Sequence, residues 1–355
     1  MRFGCYAEVA KDEISKIPEV DLILGNNDKI KIKDILTEYF TNGDQTKYLD
    51  NGCINNEFSD FGIVTYTDKT RAVIKVQDGC NQFCSYCIIP YARGRIRSRD
   101  KNSVISEITQ LANNGYKEVV ITGIHVASYG KDLNSEYYLI DLLEDVNKIN
   151  GIERIRLGSI EPTLITDEFV SRLSKLEKIC HHFHLSLQSG CDKTLKQMNR
   201  KYNTEEFENV TKRLRNVYDD VILTTDIIVG FPGETDEDFE ITYNYLKKIN
   251  FYKMHVFKYS PRKGTIAAEM KEQVPSETKE SRSKALIDLS DFNQKNYLKS
   301  YIGKDVYVLF EEKEGEFVKG HTSNYIMVKK CGDDIINSIS KTKITGIGKE
   351  FLIGE

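Results

Sequence analysis

No stretch of this 355-residue chain reaches the run of about 18 apolar residues that a membrane-spanning helix needs. Met1 to Ala10 has neither the basic start nor the apolar segment of a secretion signal, so the expected location is the cytoplasm and no membrane partner is expected. Charge of one sign is scarce too: 50 Lys and Arg against 54 Asp and Glu leave a net charge of −4. The mean field gives no pull toward nucleic acid, DNA partners are not expected, and any RNA contact must come from local basic patches. Metal-ligand spacing is missing among the six histidines. His125 and His184 fall in expected strands, whereas His181, His182, His255 and His321 lie nearby or elsewhere; all read as structural or substrate contacts. With 40% hydrophobic and 29% charged residues, the remainder is ordinary globular composition with a sizeable core, long enough for two or three units.

In a reducing compartment clustered cysteines read as metal ligands before disulfides. Three of the eight crowd into Gly79-Cys80-Asn81-Gln82-Phe83-Cys84-Ser85-Tyr86-Cys87, directly after the expected strand Ala72–Val76. Thiolates at i, i+4 and i+7 in a loop at a strand end can converge on one [4Fe–4S] cubane, which otherwise takes four such ligands. One iron is then open to chelate the amino and carboxylate groups of S-adenosylmethionine (SAM) and to pass it an electron, releasing a 5′-deoxyadenosyl radical. The competing readings are a zinc knuckle, which wants a fourth Cys or His nearby, and inert packed thiols.

From Arg71 onward short β-branched runs alternate with stretches of helical periodicity, the pattern of βα units around a parallel sheet. Six strands are expected: Ala72–Val76, Glu118–His125, Arg154–Ile160, His182–Gln188, Val221–Phe231 and Lys253–Ser260. They fit an α/β fold with a partial (β/α)6 barrel, where ligands collect at the C-terminal strand ends. That rim makes Gly123, Gln188, Ser189, Gly190 and Gly230 cofactor-binding candidates, with Tyr86 from the cysteine loop; plain βα turns are the alternative for each glycine. Asp226, inside an apolar strand, needs either a partner or a job. Helices are expected to start at Thr166, Asn203 and Thr235, each followed by acidic residues. Lys271 to Asn296 reads as a charged linker and helix, after which Val306–Phe310, Glu316–His321, Tyr325–Lys329 and Thr342–Ile347 announce a small antiparallel β-barrel. Met1 to about Asp60 is an α/β piece too short to bury its own core, ending in a polar loop at Thr41 to Asn56.

Arg93, Arg95, Arg97 and Arg99 alternate, so in an extended segment they would share a face and clamp phosphate or cofactor carboxylate beside the cluster; a solvated loop is the alternative. Asn199-Arg200-Lys201-Tyr202 and the pair Arg262 and Lys263 could extend that RNA track, and the Asn324-Tyr325 turn is compatible with RNA.

The segments VQDGCNQFCSYCIIPYARGRIRSR (Val76–Arg99), TGIHVASYG (Thr122–Gly130), HFHLSLQSGCDKTLKQMNR (His182–Arg200), DIIVGFPGET (Asp226–Thr235) and MHVFKYSPRKGT (Met254–Thr265) strongly resemble the methylthiotransferases. The branch that looks nearest is that of the threonylcarbamoyladenosine tRNA methylthiotransferases, and the resemblance runs from Gly4 to the end. It implies a radical SAM core at about 66–296, an RNA-binding TRAM barrel at about 298–355 and, at 1–60, the remnant of an N-terminal methylthiotransferase domain. It also implies a second, auxiliary [4Fe–4S] cluster that supplies sulfur. Cys5, in Gly4-Cys5-Tyr6-Ala7, matches one of its three ligands; the other two would precede the first residue, so that cluster's ligand set is incomplete here and the chain reads as N-terminally truncated. Cys53, Cys180, Cys191 and Cys331 match no family ligand. The implied activity is methylthiolation at C2 of N6-threonylcarbamoyladenosine at position 37 of tRNA, with an electron donor such as flavodoxin or ferredoxin. Methylthiolation of a ribosomal protein or of another tRNA adenosine, and SAM and tRNA binding without full activity, are the alternatives.

Overall fold

The computed structural model describes residues 1–42, 58, 70–332 and 335–355; Cys53 and nearly all of the polar loop expected at Thr41 to Asn56 lie outside the described residues. Fourteen strands occur among the described residues. β1 (Arg2–Phe3) and β2 (Ile23–Leu24) form a small parallel pair. Next come β3 (Arg71–Asp78), the two-residue β4 (Arg97–Ser98), β5 (Glu118–Gly123), β6 (Arg154–Leu157), β7 (His182–Gln188), β8 (Ile222–Val229) and β9 (Lys253–Lys258). The last five are β10 (Asp305–Glu314), β11 (Phe317–Thr322), β12 (Met327–Cys331), β13 (Ile339–Ile347) and β14 (Leu352–Gly354).

The six long strands β3, β5, β6, β7, β8 and β9 run parallel in two sheets, β4-β3-β5-β6 and β7-β8-β9. Single bridges, Ile155 to Ile179 and Ile160 to Leu185, tie the sheets into one open barrel. Alternation sets the two faces. On β3, Ala72, Ile74 and Val76 are buried under the helices while Lys75 and Gln77 take the other face; on β8, Leu223, Ile227 and Val229 pack outward and Thr224, Asp226 and Ile228 line the interior. The expected strands overshoot: Glu118–His125 stops at Gly123, Arg154–Ile160 at Leu157, Val221–Phe231 at Val229 and Lys253–Ser260 at Lys258. Their last residues turn into the rim loops, so apolar composition continues where pairing has ended.

Helix starts follow local chemistry. Thr166 accepts a hydrogen bond from the Phe169 N–H, and Asn203 with Glu206 and Thr235 with Asp238 close reciprocal capping boxes. The segment expected as linker and helix has its linker at 271–275 and then a continuous helix, Ser276–Lys299, laid along β9: Ser290 Oγ accepts from the Met254 N–H and Asn293 Nδ2 donates to the Phe251 carbonyl. Helix and strand edge are thereby sealed together.

β10 to β14 close into a barrel around Val308, Phe310, Val318, Val328, Ile344 and Leu352. Four of its pairings are antiparallel, and the fifth, β12 with β14, is parallel, which corrects the all-antiparallel expectation. This barrel sits against the N-terminal ends of the α/β strands. Arg154 donates to the carbonyls of His321 and Tyr307, and Arg156 to that of Ser323, while Arg71 pairs with Glu311. The N-terminal piece buries two apolar clusters of its own, one around Ala7, Ile14, Val20 and Ile23 and one around Leu22, Leu24 and Ile35.

Candidate active site

β3 ends at Asp78, and the chain turns at Gly79, whose φ of 72° belongs to the left-handed region. A Cβ there would lie 1.8 Å from the Arg95 carbonyl oxygen, so the cysteine loop needs glycine. The loop is then pinned at several points. The Cys80 N–H donates to the Gly94 carbonyl, Ser85 donates by N–H and Oγ to the carbonyls of Met198 and Gln197, and Asn199 Nδ2 donates to the Phe83 carbonyl. Phe83 itself holds φ 50°, a strained value for an aromatic residue.

Cys80, Cys84 and Cys87 face the barrel mouth. Gln82 N–H donates to Cys80 Sγ at 3.4 Å, and Arg200 Nη1 donates to Cys84 Sγ at 3.2 Å. Burial pushes the Cys80 thiol up and the Cys87 thiol up to about 11, so without a metal both stay protonated at neutral pH and are poor nucleophiles. Iron would displace those protons. Among the described residues no three Cys, His, Asp or Glu side chains close on a single-ion site. A cubane is different, because each thiolate takes its own iron corner. Three thiols, backbone and guanidinium donors to sulfur and an apolar surround fit such a cluster.

Arg200 corrects the sequence reading. Expected as part of an RNA track, it is buried under the cysteine loop, where its guanidinium also donates to Glu161 at 2.6 Å and to the Ser186 carbonyl. His125 joins the same group, 3.3 Å from Gln82 and 3.8 Å from Glu161, in a short turn and not in the expected strand. Arg200 and Glu161 are 39 residues apart and carry no local signal.

The arginine clamp is not formed. Arg93 ends the helix Ile89–Arg93, Arg95 lies over the Phe83 ring, Arg97 is buried beside Asp78 at 3.6 Å, and Arg99 is buried against Glu107. Two of the four are spent on buried pairs, so a common phosphate-facing row is excluded. Burial opposes ionisation of Asp78, yet hydrogen bonding from Lys75 and the Arg93 guanidinium hold its carboxyl below the usual range. Arg262 and Lys263 are exposed, with Lys263 paired to Glu13 of the N-terminal piece. Asn324 donates to the Asp220 carbonyl and the Tyr301 hydroxyl and is buried, whereas Tyr325 beside it is exposed.

Of the rim candidates, Tyr86 packs with Met198, Phe231, Tyr259 and Ile228 beside the thiols. Gln188 holds φ 71° at the end of β7. Ser189 Oγ sits 3.3 Å from Thr242 Oγ1, and a Cβ on Gly190 would meet Tyr245 at 2.9 Å, so both contact the helix Asp236–Ile249. Gly123 leaves room for Gln77, and Gly230 for Lys279. Packing therefore explains these three glycines and Ser189. Asp226 has its partner, His184 Nε2 at 3.1 Å. Cys5 starts the helix Cys5–Val9, which packs on the helix Ile89–Arg93, and Arg93 Nε donates to its sulfur at 3.1 Å. The structure thus brings Cys5 against Arg93, which follows the three-thiol loop in the chain.

The family model described as the radical SAM superfamily matches residues 74–246. A threonylcarbamoyladenosine tRNA methylthiotransferase of Bacillus subtilis is 40% identical over 99% of this chain and 79% of its own length. One of the same description from Aquifex aeolicus is 39% identical over 93% of this chain and 79% of its own. A tRNA-2-methylthio-N(6)-dimethylallyladenosine synthase of Caldicellulosiruptor saccharolyticus is 39% identical over 98% of this chain and 74% of its own length.

Proposed function

This chain belongs to the radical SAM tRNA methylthiotransferases, and from that premise we propose that it places a methylthio group at C2 of N6-threonylcarbamoyladenosine next to the anticodon of tRNA. The observation that carries the chemistry is the Cys80, Cys84, Cys87 loop, anchored at the barrel mouth with donors aimed at its sulfurs. The threonylcarbamoyl substrate is supported by the Bacillus relative, matched over 99% of this chain.

In this family a [4Fe–4S] cluster and SAM, when bound, supply a 5′-deoxyadenosyl radical that takes a hydrogen from the substrate. Cys80, Cys84 and Cys87 would hold three irons and leave the fourth to SAM. Arg200 sets a positive charge against the Cys84 sulfur, and Glu161 and the Ser186 carbonyl fix that guanidinium in place. Tyr86, Phe231 and Tyr259 wall the mouth with apolar surface and exclude water from a reactive site. Cys5, beside Arg93, would supply one thiolate to the auxiliary cluster. The reading places the protein in the cytoplasm with tRNA as substrate and a flavodoxin or ferredoxin as electron donor.

Mass analysis of tRNA nucleosides tests it, using a host that lacks its own enzyme for this modification. Expression should yield 2-methylthio-N6-threonylcarbamoyladenosine, and Cys84→Ala should abolish it together with 5′-deoxyadenosine release. A methylthio product on dimethylallyladenosine instead would overturn the substrate and keep the chemistry.

A further inference from the structure

One polar side chain beside the cysteine loop is fully buried and has no part in the chemistry described so far. Gln77 lies one residue before the end of β3, with none of its surface exposed. β3 carries an extra residue at this point: Lys75 pairs with Thr122 and Gln77 with Gly123, so Val76 is a bulge. Bulges re-aim side chains near active sites, and this one sets Gln77 opposite a glycine. A Cβ on Gly123 would lie 2.9 Å from Gln77 Oε1, so the space the amide occupies exists only because that position is glycine.

The carboxamide joins two loops. Gln77 Nε2 donates to the Asp78 carbonyl at 2.6 Å and to the Gly79 carbonyl at 2.7 Å, and Oε1 accepts from the His125 N–H at 2.7 Å. Its orientation is forced, since the flipped amide would set oxygen against two carbonyl oxygens and NH2 against an N–H. Asp78 and Gly79 form the turn into the cysteine loop, and His125 stands in the rim loop after β5. A second link joins the same two loops. Gln82 Nε2 lies 3.3 Å from His125 Nε2, and the Gln82 N–H donates to Cys80 Sγ at 3.4 Å. With Gln82 Nε2 as the donor, His125 Nε2 is the bare nitrogen, and Nδ1–H donates to Ser128 Oγ at 2.7 Å. The contacts close a circuit from Gln77 to Gly79, along the loop through Cys80 to Gln82, across to His125 and back to Gln77.

We infer that Gln77 is a positioning residue for the iron–sulfur site: its buried carboxamide holds the turn into the cysteine loop and the rim loop at His125 in one fixed relation, and so keeps the Cys80 thiol and the Gln82 N–H aimed at it in place. The inference rests on the cluster reading given under Proposed function. A cubane held by only three thiolates has none to spare, so a displacement at Cys80 is felt as lost metal. An N–H donor to a ligand sulfur also stabilises the negative charge that reduction adds, and so makes the cluster easier to reduce. A glutamine is the side chain that supplies two donors and one acceptor on this buried edge without bringing in a charge.

Gln77→Met keeps the reach of the side chain and removes all three hydrogen bonds, whereas Gln77→Glu keeps the shape and turns a carboxylate toward two carbonyls. Hydrogen exchange of the metal-free chain reads the loops before any cluster is present. In both variants the amides of residues 79–87 and of His125 should exchange about tenfold or more faster than in the parent, while those of β13 stay parental and report intact folding. After anaerobic reconstitution iron per chain should fall about twofold or more, and the cluster that remains should titrate by electron paramagnetic resonance at a more negative potential. Gly123→Ala crowds the amide from the facing strand and should reproduce the loss, yet added to Gln77→Ala it should make that variant no worse. Gln294→Met is the control for general destabilisation: it removes another buried amide, one that donates to the Tyr252 hydroxyl at 3.3 Å, and should lower the melting temperature while loop exchange, iron and potential stay parental. Parental loop exchange and iron content in Gln77→Met overturn the assignment, and so does an equal loss of iron in Gln294→Met. A parent chain that takes up no cluster overturns the reading under Proposed function, and this inference with it.

Discussion

The imidazole of His182 has its charge state set by where it lies. Burial first, and then the Arg156 guanidinium, hold its pKa well below the ordinary imidazole range, and burial lowers that of His255 as well. The unfolded chain takes up a proton near pH 6.5, whereas the folded chain refuses it at His182 until the pH is far lower. Stability from this group is therefore complete above about pH 6.5 and is lost as pH falls, with a limiting slope of about 1.4 kcal/mol per pH unit. His255 is exposed and screened and adds less. Urea unfolding of the metal-free chain from about pH 7 to 5.5 should show this loss, and His182→Phe should flatten it. Parallel profiles for parent and variant would show that His182 carries no such linkage.

A loop and a strand end decide whether the three thiols can share one cluster. Gly79 turns the chain with a positive φ and passes under the Arg95 carbonyl, so Gly79→Ala must displace the whole segment to Cys87. Gly303 makes a useful contrast, since it too has a positive φ but nothing within 4 Å of a Cβ. Gly303→Ala should cost about 1 kcal/mol of backbone strain and leave iron content unchanged. Gly79→Ala should lose most of the iron bound after anaerobic reconstitution while keeping its far-ultraviolet circular dichroism. Parental iron content in Gly79→Ala would mean that the loop geometry is set elsewhere.

The two barrels act as one body through groups that neither could bury alone. Glu118 is fully buried among Arg156 at 2.7 Å and Arg71 and Arg154 at 3.9 Å, and those arginines spend their remaining donors on the C-terminal barrel. Truncation after Lys299 would strip the carbonyl acceptors from Arg154 and Arg156, about 1.5–3 kcal/mol for each hydrogen bond to a charged group. Calorimetry of the full chain should give a single main transition, and the truncated chain should melt several degrees lower and show impaired SAM cleavage as well as weakened tRNA binding. Full-length calorimetry with two well-separated transitions would show that the contact does not couple the barrels.

Local chemistry was legible from the chain alone. The thiolate spacing, the caps at Thr166, Asn203 and Thr235 and the alternation of β3 and β8 depend on residues a few positions apart, which share a turn, a helix end or a strand face whatever surrounds them. Charge pattern misled where a partner was distant or the backbone was not extended: Arg97 and Arg99 looked like a phosphate row but answer Asp78 and Glu107, and Arg200 answers Glu161 and a cysteine 116 residues away. His182, His184, His255 and His321 line one cavity but could not be grouped by spacing, because strand order and the docking of one barrel on another decide that meeting. Sequence by itself determined which groups could do the chemistry. The tertiary structure decided which of them are buried and which are paired.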